Sequence, residues 1–167
     1  MSAKREKIPA KLIMGDPVCF LAFGFGSGLA PHAPGTFGTL AAVPLYLLLA
    51  GLPLPAYLAL TALMFLAGVW LCGRCEQRLG IQDHSGIVWD EFVGLFISLA
   101  GMPVTPVAVI TGFCLFRFFD ILKPWPIGSL DRRVHGGLGI MLDDALAGLY
   151  AWTALFALTQ AGLICKL

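Results

Sequence analysis

The chain has 167 residues, 58% of them hydrophobic and only 13% charged, about half the charged share of an ordinary globular protein. A formal net charge of +1 excludes capture of nucleic acid by bulk electrostatics. The composition is that of a chain dissolved in lipid, and the length suits one small membrane domain covering residues 1–167.

Residues 1–12 are polar and basic, with Lys4, Arg5, Lys7 and Lys11. No short apolar core with a small-residue cleavage site follows, so the first spans are expected to act as their own insertion signal. No formal charge then occurs between Asp16 and Arg74. Residues 24–38 hold too many glycines and prolines for a regular helix and read as loop. Residues 14–28 fit either an interfacial or a re-entrant segment. Helices are expected over 36–50 with Thr36 as N-cap, over 56–79, 87–100, 107–123 and 141–164. Gly/Pro turns separate them, and Pro124 disfavours helix at the residue before it. The expected fold is therefore an all-α integral membrane protein, a small bundle of four to five transmembrane helices with Gly/Pro-rich cytoplasmic loops. A span needs about 20 residues, so 36–50 must borrow length from its flanks.

Threading these spans places all 10 Asp/Glu, and every Lys/Arg except Lys166, at one face. The positive-inside rule makes that face cytoplasmic and the protein multi-pass. Trp125-Pro126 suits the interfacial zone. The 5 cysteines are scattered through apolar runs, which suits buried reduced thiols. Cys72 and Cys75 have CxxC spacing, but no second pair completes a zinc site.

The chemistry concentrates at the ends of the apolar runs. Asp83, His84, Asp90 and Glu91 abut residues 92–116, which contain no Asp, Glu, Lys or Arg. Acids at the edge of hydrocarbon are costly and call for a function. Arg117, Asp120 and Lys123 leave the membrane together, and Asp143-Asp144 re-enter it. Hard oxygen donors without cysteine or HxxxH partners select Mg²⁺ or Mn²⁺. Asp90, Glu91, Asp143 and Asp120 are the candidate metal ligands. Asp83 or Asp144 would activate water or act as nucleophile, and His84 would donate a proton. Arg117 and Lys123 would clamp phosphate oxygens, with Arg132 and Arg133 nearby. The Gly-rich segments offer backbone N–H groups to phosphate at Gly26, Ser27, Gly28 and Thr36, and again over 136–139. The first lacks GxGxxG spacing and a flanking strand, so no dinucleotide is expected. Taken singly, each acid reads equally well as a solvated partner of a neighbouring Arg or Lys. Taken together, they point to a metal ion held against a phosphorylated lipid headgroup.

Four blocks carry a specific resemblance: Gly26-Ser-Gly-Leu-Ala-Pro-His-Ala-Pro-Gly-Thr36, Asp83-His-Ser-Gly-Ile-Val-Trp-Asp-Glu91, Phe116-Arg-Phe-Phe-Asp-Ile-Leu-Lys-Pro-Trp-Pro126 and His135-Gly-Gly-Leu-Gly-Ile-Met-Leu-Asp-Asp144. The chain closely resembles the phosphatidylglycerophosphatase A family of bacterial inner membranes, from about Gly15 to the last span. The resemblance implies a Mg²⁺-dependent phosphatase that converts phosphatidylglycerophosphate to phosphatidylglycerol. The rival expectation is a small cation or proton transporter, which would place acids near the bilayer midplane. A CDP-alcohol phosphotransferase would carry a long Asp-Gly…Asp…Asp motif, which is not found. Oligomeric state is left open.

Overall fold

The computed structural model describes residues 9–82, 84–131 and 133–164. All regular structure among them is helical: α1 (Ala10–Gly15), α2 (Pro17–Ala22), a 3-10 turn at Ser27–Leu29, α3 (Pro34–Leu49), α4 (Leu54–Leu79), α5 (Trp89–Leu99), α6 (Pro106–Leu122), α7 (Ile127–Asp131) and α8 (Gly136–Gln160). Asp83 and Arg132, both given roles above, lie outside the described residues.

Proline and glycine set most helix ends. Pro17, Pro34, Pro55 and Pro106 each sit in the first turn of a helix, where the missing N–H costs nothing. Thr105 caps α6 by accepting from the Ala108 amide at 3.2 Å. Gly80 and Lys123 end α4 and α6 in the left-handed region. Two boundaries differ from expectation. The N-cap of α3 is Ala33, not Thr36, because Pro34 starts the helix earlier. Likewise α8 starts at Gly136 rather than Met141, since its glycines serve helix packing and not a loop.

The core is built on α5, which is buried nearly all round between α3, α4, α6 and α8. Phe92, Leu95, Phe96 and Leu99 are wholly buried there, beside Phe116 of α6 and Leu155 of α8. Glycine lets α8 approach: a Cβ on Gly148 would lie 2.5 Å from the Gly94 carbonyl, and one on Gly137 would lie 2.0 Å from that of Val69. Polar groups inside are satisfied locally. Tyr57 donates to the Phe96 carbonyl at 2.9 Å and Trp89 to that of Met64 at 3.1 Å.

The outer surface is apolar: Leu48 is 81% exposed, Ile121 68% and Leu66 64%. Among the described residues, only α4 and α8 are long and apolar enough to cross a membrane by length and composition, fewer than the four to five spans expected. The 11 residues of α5 rise only about 16 Å, and the 16 of α3 about 24 Å. Alternation of apolar runs with turns located these helices within a few residues but overstated how many of them are spans.

The cysteines also depart from expectation. Cys19 of α2 and Cys75 of α4 form a disulfide, with Cα atoms 5.0 Å apart, while Cys72 and Cys114 are free. Asp16 reinforces the same junction. Its Oδ1 accepts from the amides of Val18 and Cys19, capping α2, and its carboxylate pairs with Arg78 of α4. Burial raises the Asp16 carboxyl, but the Arg78 hydrogen bond and the two amides outweigh it and hold it below its ordinary value.

Candidate active site

Five helix ends, those of α3, α4, α5, α6 and α8, converge at the end of the bundle that carries the charges. The first turn of α5 supplies Asp90 and Glu91, where the helix dipole favours anions. The last turns of α6 supply Arg117 and Asp120, with Lys123 following directly. The second turn of α8 supplies Asp143 and Asp144, both buried. The first turns of α3 close the site from another side.

Arg117 is the hinge of the arrangement. Its Nη1 donates to Glu91 Oε2 and pairs with Asp120 Oδ2 at 2.8 Å. Thr39 donates to the same Glu91 oxygen at 2.6 Å. Gly35 lies so close that a Cβ there would be 2.1 Å from Glu91 Oε1 and 3.0 Å from Arg117 Nη1. Lys123 reaches back to Asp143 Oδ2. Asp90 lies within reach of the charges of Glu91, Asp120 and Asp143, and Asp144 within reach of those four. Carboxylates from three distant stretches therefore share one neighbourhood.

Beside them lies a polar pocket of about 100 Å³, walled by Glu76, Gln82, Asp90, His135 and Asp143 together with the Gly136 and Gly139 backbone. Asp144 is buried deeper, and its Oδ2 has no hydrogen-bond partner. A buried, unpartnered carboxylate oxygen costs about 1–3 kcal/mol or more, so a cation or a proton must compensate it. No preformed group of three or more ligating side chains occurs among the described residues. The carboxylates of Glu76, Asp90 and Asp143 at that pocket are nonetheless hard oxygen donors, the kind a divalent cation such as Mg²⁺ takes.

Several assignments move. His84 stacks its ring on Phe23, with centroids 5.6 Å apart, and its Nδ1 accepts from the Gly86 amide. His135, given no role above, lines the polar pocket. The Gly26–Gly28 segment is engaged in loop packing. Ser27 donates to the Gly24 carbonyl at 2.8 Å, and a Cβ on Gly28 would lie 1.9 Å from the Gly86 carbonyl. Thr36 sits inside α3, one turn before Thr39, and Arg133 is exposed. Glu76, Thr39 and Gly35 were missed. Glu76 was legible as an acid inside an apolar helix; nothing local marks Thr39 or Gly35.

Buried carboxylates bracketed by an arginine and a lysine, at the shared end of a helical bundle, define a helical enzyme that handles a charged group. The chain belongs to the phosphatidylglycerophosphatase A family, whose model matches residues 20–159. It is 48% identical to phosphatidylglycerophosphatase A of Haemophilus influenzae over 89% of this chain and 92% of that one. It is 45% identical to the Escherichia coli protein of the same name, over 87% and 85%. No solved structure matches it.

Proposed function

We propose that the protein hydrolyses the terminal phosphate monoester of phosphatidylglycerophosphate, giving phosphatidylglycerol and inorganic phosphate, with Mg²⁺ as cofactor. The observation that carries the reading is the convergence of Arg117 and Lys123 on buried carboxylates, in a chain whose relatives carry that activity in their names. Its place is the bacterial inner membrane, embedded in several passes with the site on the cytoplasmic face. Leucines and isoleucines face outward while carboxylates are buried, the reverse of a protein designed for water. The charged residues lie towards one end of the long helices, which does not favour a transport pathway through their middles.

Asp90 and Asp143, with Glu76 beside them, would hold Mg²⁺, which when bound neutralises phosphate charge and orients water. Arg117 and Lys123 clamp the non-bridging oxygens, where transition-state charge accumulates. Asp144 takes a proton from the attacking water at its unpartnered oxygen. The new bond joins water oxygen to phosphorus as the phosphorus–glycerol oxygen bond breaks. His135, at the pocket rim, returns a proton to the leaving oxygen.

The test is phosphate release from phosphatidylglycerophosphate by detergent-solubilised protein, with Mg²⁺ and with EDTA. Release that EDTA abolishes and added Mg²⁺ restores is the expected outcome. Release unaffected by EDTA would remove the metal, and no release from any phosphorylated lipid would remove the activity.

A further inference from the structure

We propose that the polar pocket continues into a headgroup subsite between α4 and α8, where Gln82 reads the free hydroxyl of the substrate's glycerol. The inference rests on the lipid-phosphatase reading and extends it to the part of the headgroup that does not react. Gln82 is thereby a specificity-determining residue and has no part in the chemical step.

The pocket at the acids is small. At about 30 Å³ per water-sized group, its volume of about 100 Å³ takes about three, enough for the terminal phosphate and not for the glycerol and phosphodiester behind it. These need an adjoining space. A cleft of about 380 Å³ provides it, and Glu76, Gln82 and Gly136 are walls of both. Its α4 wall runs from Gly73 to Gly80, so it lies with Glu76 on the near side of the contact between Val69 and Gly137. Glycine opens the cleft: Gly73, Gly80, Gly136 and Gly137 leave the seam between the helices without side chains.

The chemistry of the walls changes from one space to the next. Around the acids, every polar side chain other than Gln82 is ionisable: Glu76, Asp90, Asp143 and His135. The cleft adds Gln77, a second carboxamide. A carboxamide both donates and accepts, which suits a neutral hydroxyl. In the substrate that hydroxyl is borne on the carbon next to the one carrying the leaving oxygen. With phosphorus at the acids, the hydroxyl falls at the boundary of the two spaces, where Gln82 stands exposed. Charge agrees as well. Arg74 donates to Gln77 at 3.4 Å, bringing a guanidinium to the cleft wall, the partner a phosphodiester anion calls for.

Gln82 lies in an exposed turn, so Gln82→Ala should leave thermal unfolding unchanged. Its kcat/KM on phosphatidylglycerophosphate should fall about fivefold, the worth of one neutral hydrogen bond. A propanediol analogue of the substrate, lacking the hydroxyl, should lose the same factor with the unsubstituted protein and nothing further with Gln82→Ala. A full second loss in that combination overturns the assignment, as does unchanged turnover of phosphatidylglycerophosphate by Gln82→Ala. A second readout needs no turnover. In a Cys114→Ser, Cys165→Ser background, Gln77→Cys should react with a charged maleimide. Glycerophosphoglycerophosphate, the deacylated headgroup, should protect it at concentrations where inorganic phosphate does not. Equal protection by inorganic phosphate confines binding to the terminal phosphate and overturns the subsite. Protection by the headgroup without turnover of any phosphorylated lipid sinks the phosphatase reading and keeps the subsite; turnover with additive losses and no protection does the opposite.

Discussion

Glu91 shows how tightly a single side chain is held here. Arg117 neutralises it, Thr39 hydrogen-bonds it, and the Gly35 backbone leaves it no room to swing. Gly35→Ala must push Glu91 or α3 aside, since the new Cβ would sit 2.1 Å from Oε1. Phosphate release should fall about 100-fold or more, a loss of transition-state stabilisation of about 2.7 kcal/mol, with helical content by circular dichroism unchanged. Thr39→Val removes one hydrogen bond to a charged group, worth about 1.5–3 kcal/mol, and should cost about tenfold or somewhat more. Activity equal to the unsubstituted protein in both variants would show that Glu91 is a packing residue. The histidines separate by the same logic. His84→Ala should lower stability by about 1 kcal/mol through its lost stacking on Phe23, with activity largely kept, whereas His135→Ala should reduce turnover. Turnover measured beside thermal unfolding distinguishes the two. Glu91 was legible because an acid beside a long apolar run is anomalous on its own. Its partners were not, because a hydrogen bond across 52 residues leaves no trace in local pattern.

At the scale of helices, the site exists because α5 and α8 touch backbone to backbone. Gly94 and Gly148 face each other across that seam, and a Cβ on Gly94 would meet the Phe116 ring at 2.3 Å and the Asp144 carbonyl at 3.0 Å. Gly94→Ala should therefore destabilise the protein by about 1–3 kcal/mol, as overpacking does, and displace Asp144 with it. Thermal unfolding in detergent together with phosphate release checks this, and a fully stable, fully active variant would refute it. The glycines near the start of α8 misled for a related reason. A glycine cluster signals a loop when read along the chain, yet Gly137 faces the Val69 carbonyl and belongs to a helix crossing. Apolar periodicity placed α4 and α6 within a few residues. It could not say which helices are long enough to cross a membrane, because a hydrophobic run records burial and not the medium that surrounds it.

Across the whole molecule, the charged groups gather at one end and the sides are covered with apolar side chains. The collection of charge was visible by threading spans; the disulfide between Cys19 and Cys75 was not, because their pairing depends on how α2 crosses α4. The proposed embedding makes a prediction about a residue with no role in catalysis. Cys114 is exposed on α6 and free, whereas Cys72 is buried. In water an exposed thiol ionises and reacts with maleimide reagents. In hydrocarbon the thiolate is strongly disfavoured, so the same exposed thiol should be inert. In membranes from a Cys165→Ser background, a charged maleimide should leave Cys114 unlabelled until SDS is added. Arg74→Cys, at the charged end of α4, provides the contrast and should label promptly from the cytoplasmic side. Cys114 reacting as fast as that engineered cysteine would mean that water bathes the apolar face, and the membrane reading would fail with it.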